Sequence, residues 1–477
     1  MEYGLIGEKL SHSFSKEIHE SFGKYLYELY EIDKNNLPEF LKKREFKGIN
    51  VTMPYKETVI PYLDRVSGEA KEIGAVNTIV NRNGVLTGYN TDAYGLEALI
   101  KMNFDIKNKK VLILGSGGTS KTALYVARKL GAKYVYRVSR NKCDKKDVIS
   151  YDEAYSEHTD ADVIINTTPV GMYPENEGIP VDISAFPRLS AVFDVIFNPI
   201  RTNLCLEAQE KGIVAANGLF MLVAQAVMAS KLFEGVNEKL EILQNNTCGE
   251  IIGSEINKSE KNKSKITGSA MTMSEMAGDF DVRDGNSLNR IAAENFQKIL
   301  LSKLNLVLIG MPTCGKTTVG REVSRLLVKH FFDTDTEIEN YTGMSAADFI
   351  HKFGEKEFRL KEKEVIEKIS KGNNSVIATG GGSVLDPENV RALKRNGVLI
   401  FIDRDLEYLS AMPDRPLGDT YEKLEALYNE RYPVYKAAAD ITIDGNHGIK
   451  ENAEEIISKV NRSPEFSPVR FGEKKKF

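Results

Sequence analysis

Short apolar runs alternate along this chain with stretches in which apolar residues recur every three or four positions, and the alternation falls into two blocks. In the first, the runs Val111 to Leu114, Tyr134 to Val138, Val163 to Ile165 and Ala191 to Ile196 predict buried strands, and Ala123, Val126, Ala127 and Leu130 predict one helix face. In the second, Leu306 to Ile309 and Ser375 to Ala378 predict strands, while Val319, Val323, Leu326 and Leu327 mark a helix face. From Asn245 to Asn286 the chain is rich in Ser, Asn, Lys, Glu and Gly without sustained periodicity, which reads as a linker; a short helical pattern, Ile291 to Leu301, follows it. The end, Arg462 to Phe477, carries Glu473-Lys474-Lys475-Lys476 and reads as a disordered, solvated tail. Strands alternating with helices predict α/β architecture in both blocks.

Composition narrows the function classes. A chain of 477 residues exceeds one ordinary core and predicts two or three domains. Its 64 basic and 68 acidic residues give a net charge of -4, which supplies no bulk attraction for nucleic acid or an anionic membrane and favours small-molecule partners. Cys143, Cys205, Cys248 and Cys314 form no CxxC pair, so neither a disulfide framework nor a structural zinc site is indicated. With no long apolar run, the expected location is the cytoplasm.

Gly310-Met311-Pro312-Thr313-Cys314-Gly315-Lys316-Thr317 matches GxxxxGK[ST] in full. In that pattern Gly310 and Gly315 let backbone N–H groups wrap phosphate oxygens, Lys316 reaches the β/γ-phosphates, and Thr317 offers a hydroxyl to Mg²⁺. The strand before it and the helix after it point the helix N-terminus at the phosphates. Phe331-Phe332-Asp333-Thr334-Asp335 then reads as a strand ending in two carboxylates, Asp333 serving Mg²⁺ through water and Asp335 accepting from a substrate hydroxyl. Glu357-Phe358-Arg359, Gly380-Gly381-Gly382, Arg415-Pro416-Leu417 and Arg431-Tyr432-Pro433-Val434-Tyr435 follow. Taken singly, each Arg or Asp reads more readily as a surface ion pair. In this order they resemble shikimate kinase from Asn305 to Ile443. The resemblance implies that Asp335, Arg359, Arg431, Gly381 and Gly382 hold shikimate, with Arg415 on a closing lid; Lys316, Mg²⁺ and Arg415 would neutralise charge during phosphoryl transfer while Asp335 orients the attacking hydroxyl. The segment Leu406 to Pro413 is short and lacks the further basic residue that many relatives carry on the lid.

In the first block, Gly115-Ser116-Gly117-Gly118-Thr119-Ser120 follows a strand and opens a helix, as a dinucleotide-binding turn does, although Ser120 occupies the third glycine position. The next strand ends in Ser139-Arg140-Asn141, and an arginine there suits the 2′-phosphate of NADP, with Lys142 either assisting or simply solvated. Six further stretches have no place in a plain dinucleotide fold: Gly4 to Gly7 with Ser11 to Ser15, Gly48 to Glu57, Gly74 to Thr78, Asn90-Thr91-Asp92, Asn166 to Met172, and Asn217 to Gln225. Together they are similar to shikimate dehydrogenase over nearly all of Met1 to Gly235. The resemblance implies a substrate cleft in which Ser13, Ser15, Thr52, Asn77 and Gln225 bind hydroxyls and carboxylate, Lys56 and Asp92 form the catalytic pair, and Gly115, Gly117, Gly118, Ser139 and Arg140 hold NADP(H). Lys16 and Phe197 depart from the family pattern, Phe197 standing in place of a tyrosine whose hydroxyl would help bind substrate.

The expected fold is therefore an N-terminal α/β substrate domain plus a Rossmann-like NADP domain, then a P-loop domain of the nucleoside-monophosphate-kinase type with a parallel sheet. The expected domains are residues 1–243 (substrate part about 1–104 and 217–243, NADP part about 105–216), a linker with a short helix at 244–303, a kinase domain at 304–461 and a tail at 462–477. The expected activities are NADPH-dependent reduction of 3-dehydroshikimate and ATP-dependent phosphorylation of shikimate. Two alternatives stand beside them: an N-terminal module that senses ligand or directs assembly beside an active kinase, and a dehydrogenase that takes quinate or uses NAD.

Overall fold

The computed structural model describes residues 1–10, 13–140, 147–235, 288–409 and 420–462. Contacts divide the chain into two compact units: Met1–Lys101 with Gly117–Leu130 and Phe220–Asn295, and Met102–Ser116 with Gly131–Leu219 and Phe296–Phe477. Most of the linker read from the sequence, Lys142, Cys143, Cys248, Arg415 and the tail from 463 onward lie outside the described residues. No helix among the described residues is long and apolar enough to cross a membrane.

The first unit is built on a mixed sheet of β1 (Tyr3–Gly7), β2 (Glu28–Glu31), β3 (Gly48–Val51), β4 (Arg65–Val66), β5 (Thr78–Arg82) and β6 (Val85–Tyr89), in the order β2-β1-β3-β5-β6-β4. β5 runs antiparallel to both β3 and β6, and the other pairs are parallel. Ile6, Ile49, Val51, Tyr55, Ile79 and Leu86 fill its core. Gly48 is required where Phe233 crosses β3, because a Cβ there would stand 2.3 Å from the phenyl ring. The helix Thr91–Asn103 follows β6 and is buried along ten consecutive residues, Thr91 to Ile100, so its sequence shows little amphipathic contrast.

The second unit holds two all-parallel sheets. One contains β7 (Lys110–Leu114), β8 (Tyr134–Val138), β9 (Val148–Ile149), β10 (Val163–Asn166), β11 (Ala191–Asp194) and β12 (Val214–Ala216), ordered β12-β11-β10-β7-β8-β9. This is the doubly wound order, whose direction reverses between β7 and β10 and opens a ligand crevice beyond the strand ends. The predicted run Ala191 to Ile196 pairs only as far as Asp194, whose carboxylate accepts from the Ile196 N–H at 3.1 Å and turns the chain out of the sheet. The other sheet contains β13 (Asn305–Ile309), β14 (His330–Asp333), β15 (Ser375–Ala378), β16 (Gly397–Asp403) and β17 (Ile441–Asp444), ordered β14-β15-β13-β16-β17. β13 is central and buried along its whole length, which explains its unbroken apolar run.

Two local readings need correction. Asp335 is not a strand residue: β14 stops at Asp333, whose side chain accepts the Asp335 N–H at 3.1 Å and caps the helix Thr334–Thr342. Leu326 is 42% exposed, so the buried face of the helix Lys316–Leu327 is carried by Val319, Gly320 and Val323.

His19 lies fully buried in the first unit, stacked on Tyr27 at 4.0 Å with its Nδ1 2.8 Å from the Tyr25 hydroxyl. Burial lowers its pKa from the ordinary 6.5 to about 3. Below pH 6.5 the unfolded chain therefore takes up a proton that the folded chain refuses, and stability falls as pH falls toward 3. Between pH 6.5 and 5 this amounts to about 2 kcal/mol. His19→Phe should reduce the drop in urea midpoint over that interval, followed by tyrosine fluorescence because the chain has no tryptophan; an unchanged pH dependence would contradict the assignment.

Candidate functional site

In the first unit, Lys56 follows β3 and Asp92 lies in the first turn of the helix Thr91–Asn103. Asn90 fixes that helix start: its Oδ1 accepts the Ala93 N–H at 3.1 Å, and its amide donates to Ala75 O at 2.9 Å. A carboxylate in a helix's first turn is favoured by the helix dipole. Lys56 Nζ donates to Asp92 Oδ2 at 2.7 Å, with side chains only 15% and 10% exposed, and Thr119 Oγ1 stands 3.4 Å from the same nitrogen.

Beside this pair, Asn77 Oδ1 accepts the Thr91 N–H at 2.6 Å, and Asn77 Nδ2 donates to Thr91 Oγ1 at 3.0 Å. Gln225 joins them, its Oε1 3.2 Å from Thr91 Oγ1 and 3.4 Å from Asn77 Nδ2. The Gln225 side chain is buried although it sits on a helix, Leu219–Phe233, of high apolar content. The structure thus brings Asn77 and Gln225 onto Thr91, the chain neighbour of the Asp92 that pairs with Lys56. Ser13 Oγ accepts the Ser15 N–H at 3.2 Å at the start of the helix Ser15–Ser21, and Thr52 packs its methyl against Gly7; among the described residues no hydrogen bond joins these three to the cluster.

The turn after β7 fits a phosphate-bearing ligand. Gly115 has φ +114°, and a Cβ on it would stand 2.7 Å from Thr167 Oγ1. Gly117 caps the helix Gly118–Lys129 without any side-chain hydrogen bond, and a Cβ on Gly117 would meet nothing within 4 Å. At the carboxyl end of β8, Ser139 is buried and Arg140 exposed. The Asn166 motif supports this edge: Asn166 Nδ2 donates to Asp194 Oδ1 at 3.0 Å, and Thr167 Oγ1 donates to Leu114 O at 2.6 Å. Burial raises the Asp194 pKa to about 6 against three hydrogen bonds that favour its charged form.

In the kinase-like sheet, β13 runs directly into Gly310, with φ +146°, and Gly315, with φ +98°, caps the helix Lys316–Leu327. Both values lie where side chains are disfavoured. Lys316 is buried and donates to the carbonyls of Gly310 and Met311 at 2.9 and 2.8 Å, at the centre of the loop. Thr317 Oγ1 donates to Asp333 Oδ2 at 2.6 Å. A hydroxyl and a carboxylate converging there suit a hard cation that completes its shell with phosphate and water; no group of three or more His, Cys, Asp or Glu forms a metal cage among the described residues.

The run Gly380-Gly381-Gly382 follows β15 and is crowded on every side. A Cβ would lie 2.6 Å from Asp335 Oδ1 at Gly380, 3.1 Å from Pro312 at Gly381 and 2.5 Å from Arg359 at Gly382. Arg431 is buried, its Nη1 3.5 Å from the Cβ position of Gly381, and its Nε has no hydrogen-bond partner among the described residues. Among the described residues no carboxylate forms an ion pair with it, although an unpaired buried charge is costly.

Three contributors escaped sequence reasoning. Glu362, 1% exposed by side chain, grips Arg359 Nη1 at 2.8 Å and accepts from Ser383 Oγ at 2.7 Å; the i,i+3 spacing from Arg359 was its signal. Tyr435 donates to Gly381 O at 2.5 Å, which fixes the glycine run. Arg404 follows β16 and places Nη1 3.9 Å from the Cβ position of Gly315, with a buried Nε that has no partner among the described residues; nothing local marked it.

Comparison with known proteins agrees with both halves. The family model for the shikimate dehydrogenase substrate binding domain matches residues 5–79, and that for shikimate kinase matches residues 312–461. A shikimate dehydrogenase (NADP(+)) from Clostridium beijerinckii is 40% identical over 247 residues, covering 49% of this chain and 91% of the relative. Another, from Caldanaerobacter subterraneus, is 37% identical over 259 residues, covering 49% and 91%. The crystal structure of shikimate dehydrogenase 1 from Peptoclostridium difficile shares 38% identity, covers 52% of this chain and 98% of its own, and superposes with a TM-score of 0.47. The chain belongs, in its first half, to the shikimate dehydrogenase family and carries a shikimate kinase domain in its second.

Proposed function

We propose that this chain performs two successive reactions on one small molecule: NADPH-dependent reduction of 3-dehydroshikimate to shikimate, then ATP-dependent phosphorylation of shikimate. The observation that carries the first is the 2.7 Å Lys56–Asp92 pair beside the Asn77–Thr91–Gln225 cluster. Reduction of a ketone needs a proton for the developing alkoxide, and a lysine ammonium oriented by a carboxylate is a suitable donor. Asn77 and Gln225 offer amide groups to substrate hydroxyls, and Ser13, Ser15 and Thr52 supply further hydroxyls. NADPH, held by Gly115, Gly117, Gly118, Ser139 and Arg140, supplies the hydride.

The observation that carries the second is Arg431, a buried guanidinium with an unpartnered Nε beside the Gly381–Gly382 backbone. With Arg359 it offers two cations to a carboxylate. Gly310 to Thr317 hold the phosphates of ATP, and Thr317 and Asp333 hold Mg²⁺, which neutralises phosphate charge when bound. Asp335, its Oδ1 2.6 Å from the Cβ position of Gly380, orients the acceptor hydroxyl. Arg415 would complete this set from the lid. The product of the first reaction is the acceptor of the second, and each half was identified without the other.

Lys56→Ala should lower NADPH oxidation with 3-dehydroshikimate by roughly 100- to 10,000-fold while leaving shikimate phosphorylation unchanged. A variant that still reduces the ketone at the original rate would exclude Lys56 as acid, and a wild-type protein with no such activity would favour the sensing reading. Arg431→Met should raise the KM for shikimate by about 10- to 150-fold with little change in that for ATP, since a hydrogen bond to a charged group contributes about 1.5–3 kcal/mol. Adding EDTA should stop phosphoryl transfer and spare ketone reduction; equal loss of both would contradict a metal confined to the kinase half.

A further inference from the structure

Arg201 follows the eleventh strand's exit loop and is buried, yet every side-chain hydrogen bond it makes among the described residues runs to the kinase domain. Nε donates to Lys394 O at 2.8 Å, and Nη2 reaches Gly397 O and, at 3.3 Å, Asp440 Oδ2. Its backbone N–H donates to Arg395 O at 2.7 Å. The three carbonyls, of Lys394, Arg395 and Gly397, sit at the carboxyl end of the helix Pro387–Asn396, where the last carbonyls lack helical partners and the dipole favours positive charge, and Asp440 joins them from just before β17.

The contact is reciprocal. Arg395 is also buried, and it reaches Asn203 Oδ1 at 3.3 Å and Asn176 Oδ1 at 3.4 Å while keeping Glu367 at 3.1 Å. Asn396 Oδ1 accepts the Ile200 N–H at 2.9 Å, and Arg391 pairs with Glu210 at 3.0 Å on the exposed rim. Burial pushes Asp440 up, but Arg201 and Lys394 outweigh it and hold the carboxyl below its ordinary range. Separation would leave the Arg201 guanidinium, the Ile200 N–H and three helix-end carbonyls without these partners. On the dehydrogenase side the contact is anchored: Thr202 Oγ1 donates to Asp194 Oδ2 at 2.7 Å, and Asp194 holds Asn166, so the dock ties into the ends of β10 and β11.

We propose that the nucleotide-binding lobe of the dehydrogenase and the kinase domain form a permanent dock through Arg201 and the carboxyl end of the helix Pro387–Asn396, so that their association does not depend on the covalent segment between the two halves. The inference rests on these contacts and is independent of either reaction.

Amide exchange on the full chain tests it directly. Peptides covering Ile200 and Arg201 should exchange at least about a hundredfold more slowly than an unstructured chain. Asn396→Ala, which removes the acceptor for the Ile200 N–H together with the Nδ2 bonds to Ser370 O and Lys371 O, should speed their exchange by about tenfold or more while β13 keeps its protection. In a second arm, a protease site is placed within residues 260–270 and cut. The cleaved protein should elute as one species near the intact 53.3 kDa, and in Arg201→Glu the peptide covering Ile200 should exchange about tenfold or more faster. Rapid exchange at Ile200 and Arg201 in the unsubstituted protein, or separation of its halves on cutting, would overturn the proposal. So would an Arg201→Glu protein whose Ile200 peptide exchanges as slowly as in the unsubstituted chain. Retained ATP-dependent phosphorylation of shikimate by Arg201→Glu shows that its kinase domain is folded.

Discussion

A sheet whose strands all run one way delivers every strand's carboxyl end to a single edge, and both parallel sheets of this chain obey that constraint. It is why Gly115 after β7 and Gly310 after β13 occupy equivalent places in two unrelated sheets. Each strand is buried, each turn has a glycine at positive φ, and each is followed by a helix whose N-terminal amides face outward from the edge. The rest of each site is assembled on what neighbouring strands bring to the same edge: Asn166 and Asp194 in one sheet, Asp333 and the glycine run in the other.

The cations of the two proposed reactions are prepared differently. Lys56 is already paired with a carboxylate of its own protein, which suits a group that must hold and release a proton. Arg431 has no such partner among the described residues, and Arg359 is steadied by Glu362 and Glu355 on its own helix. A guanidinium that never deprotonates has no need of proton management; it has to be aimed. Helical i,i+3 and i,i+4 carboxylates do that for Arg359, and burial against Gly381 does it for Arg431.

What the sequence made legible was contiguous. The phosphate loop, the dinucleotide turn and the central strands are each local, so a short window contains the whole signal. The misplacement of Asp335 was a boundary error of two residues, caused by an aspartate cap that interrupts an otherwise strand-like run. Thr91, sitting beside Asp92 in a recognised motif, became meaningful only when Asn77 and Gln225, 14 and 134 residues away, were seen to converge on it. Arg404 and Arg201 carried no local signal because their surroundings come from distant strands and helices. Ser13, Ser15 and Thr52 remain assignments by family likeness, since no hydrogen bond among the described residues joins them to the Thr91 cluster.

Gly380, Gly381 and Gly382 bear on how this chain can change over generations. A side chain at each would press on a different neighbour: Asp335 Oδ1 at 2.6 Å, the phosphate loop's Pro312 at 3.1 Å and the Arg359 guanidinium at 2.5 Å. Gly380 and Gly382 are linked, because Glu362, 3.0 Å from the Cβ position of Gly380, grips the Arg359 that crowds Gly382. A lineage that replaced one of these glycines would first have to shift the matching neighbour, and each neighbour lies in machinery of its own. The run is therefore a short stretch of backbone on which a carboxylate, the phosphate loop and an arginine-bearing helix all close in.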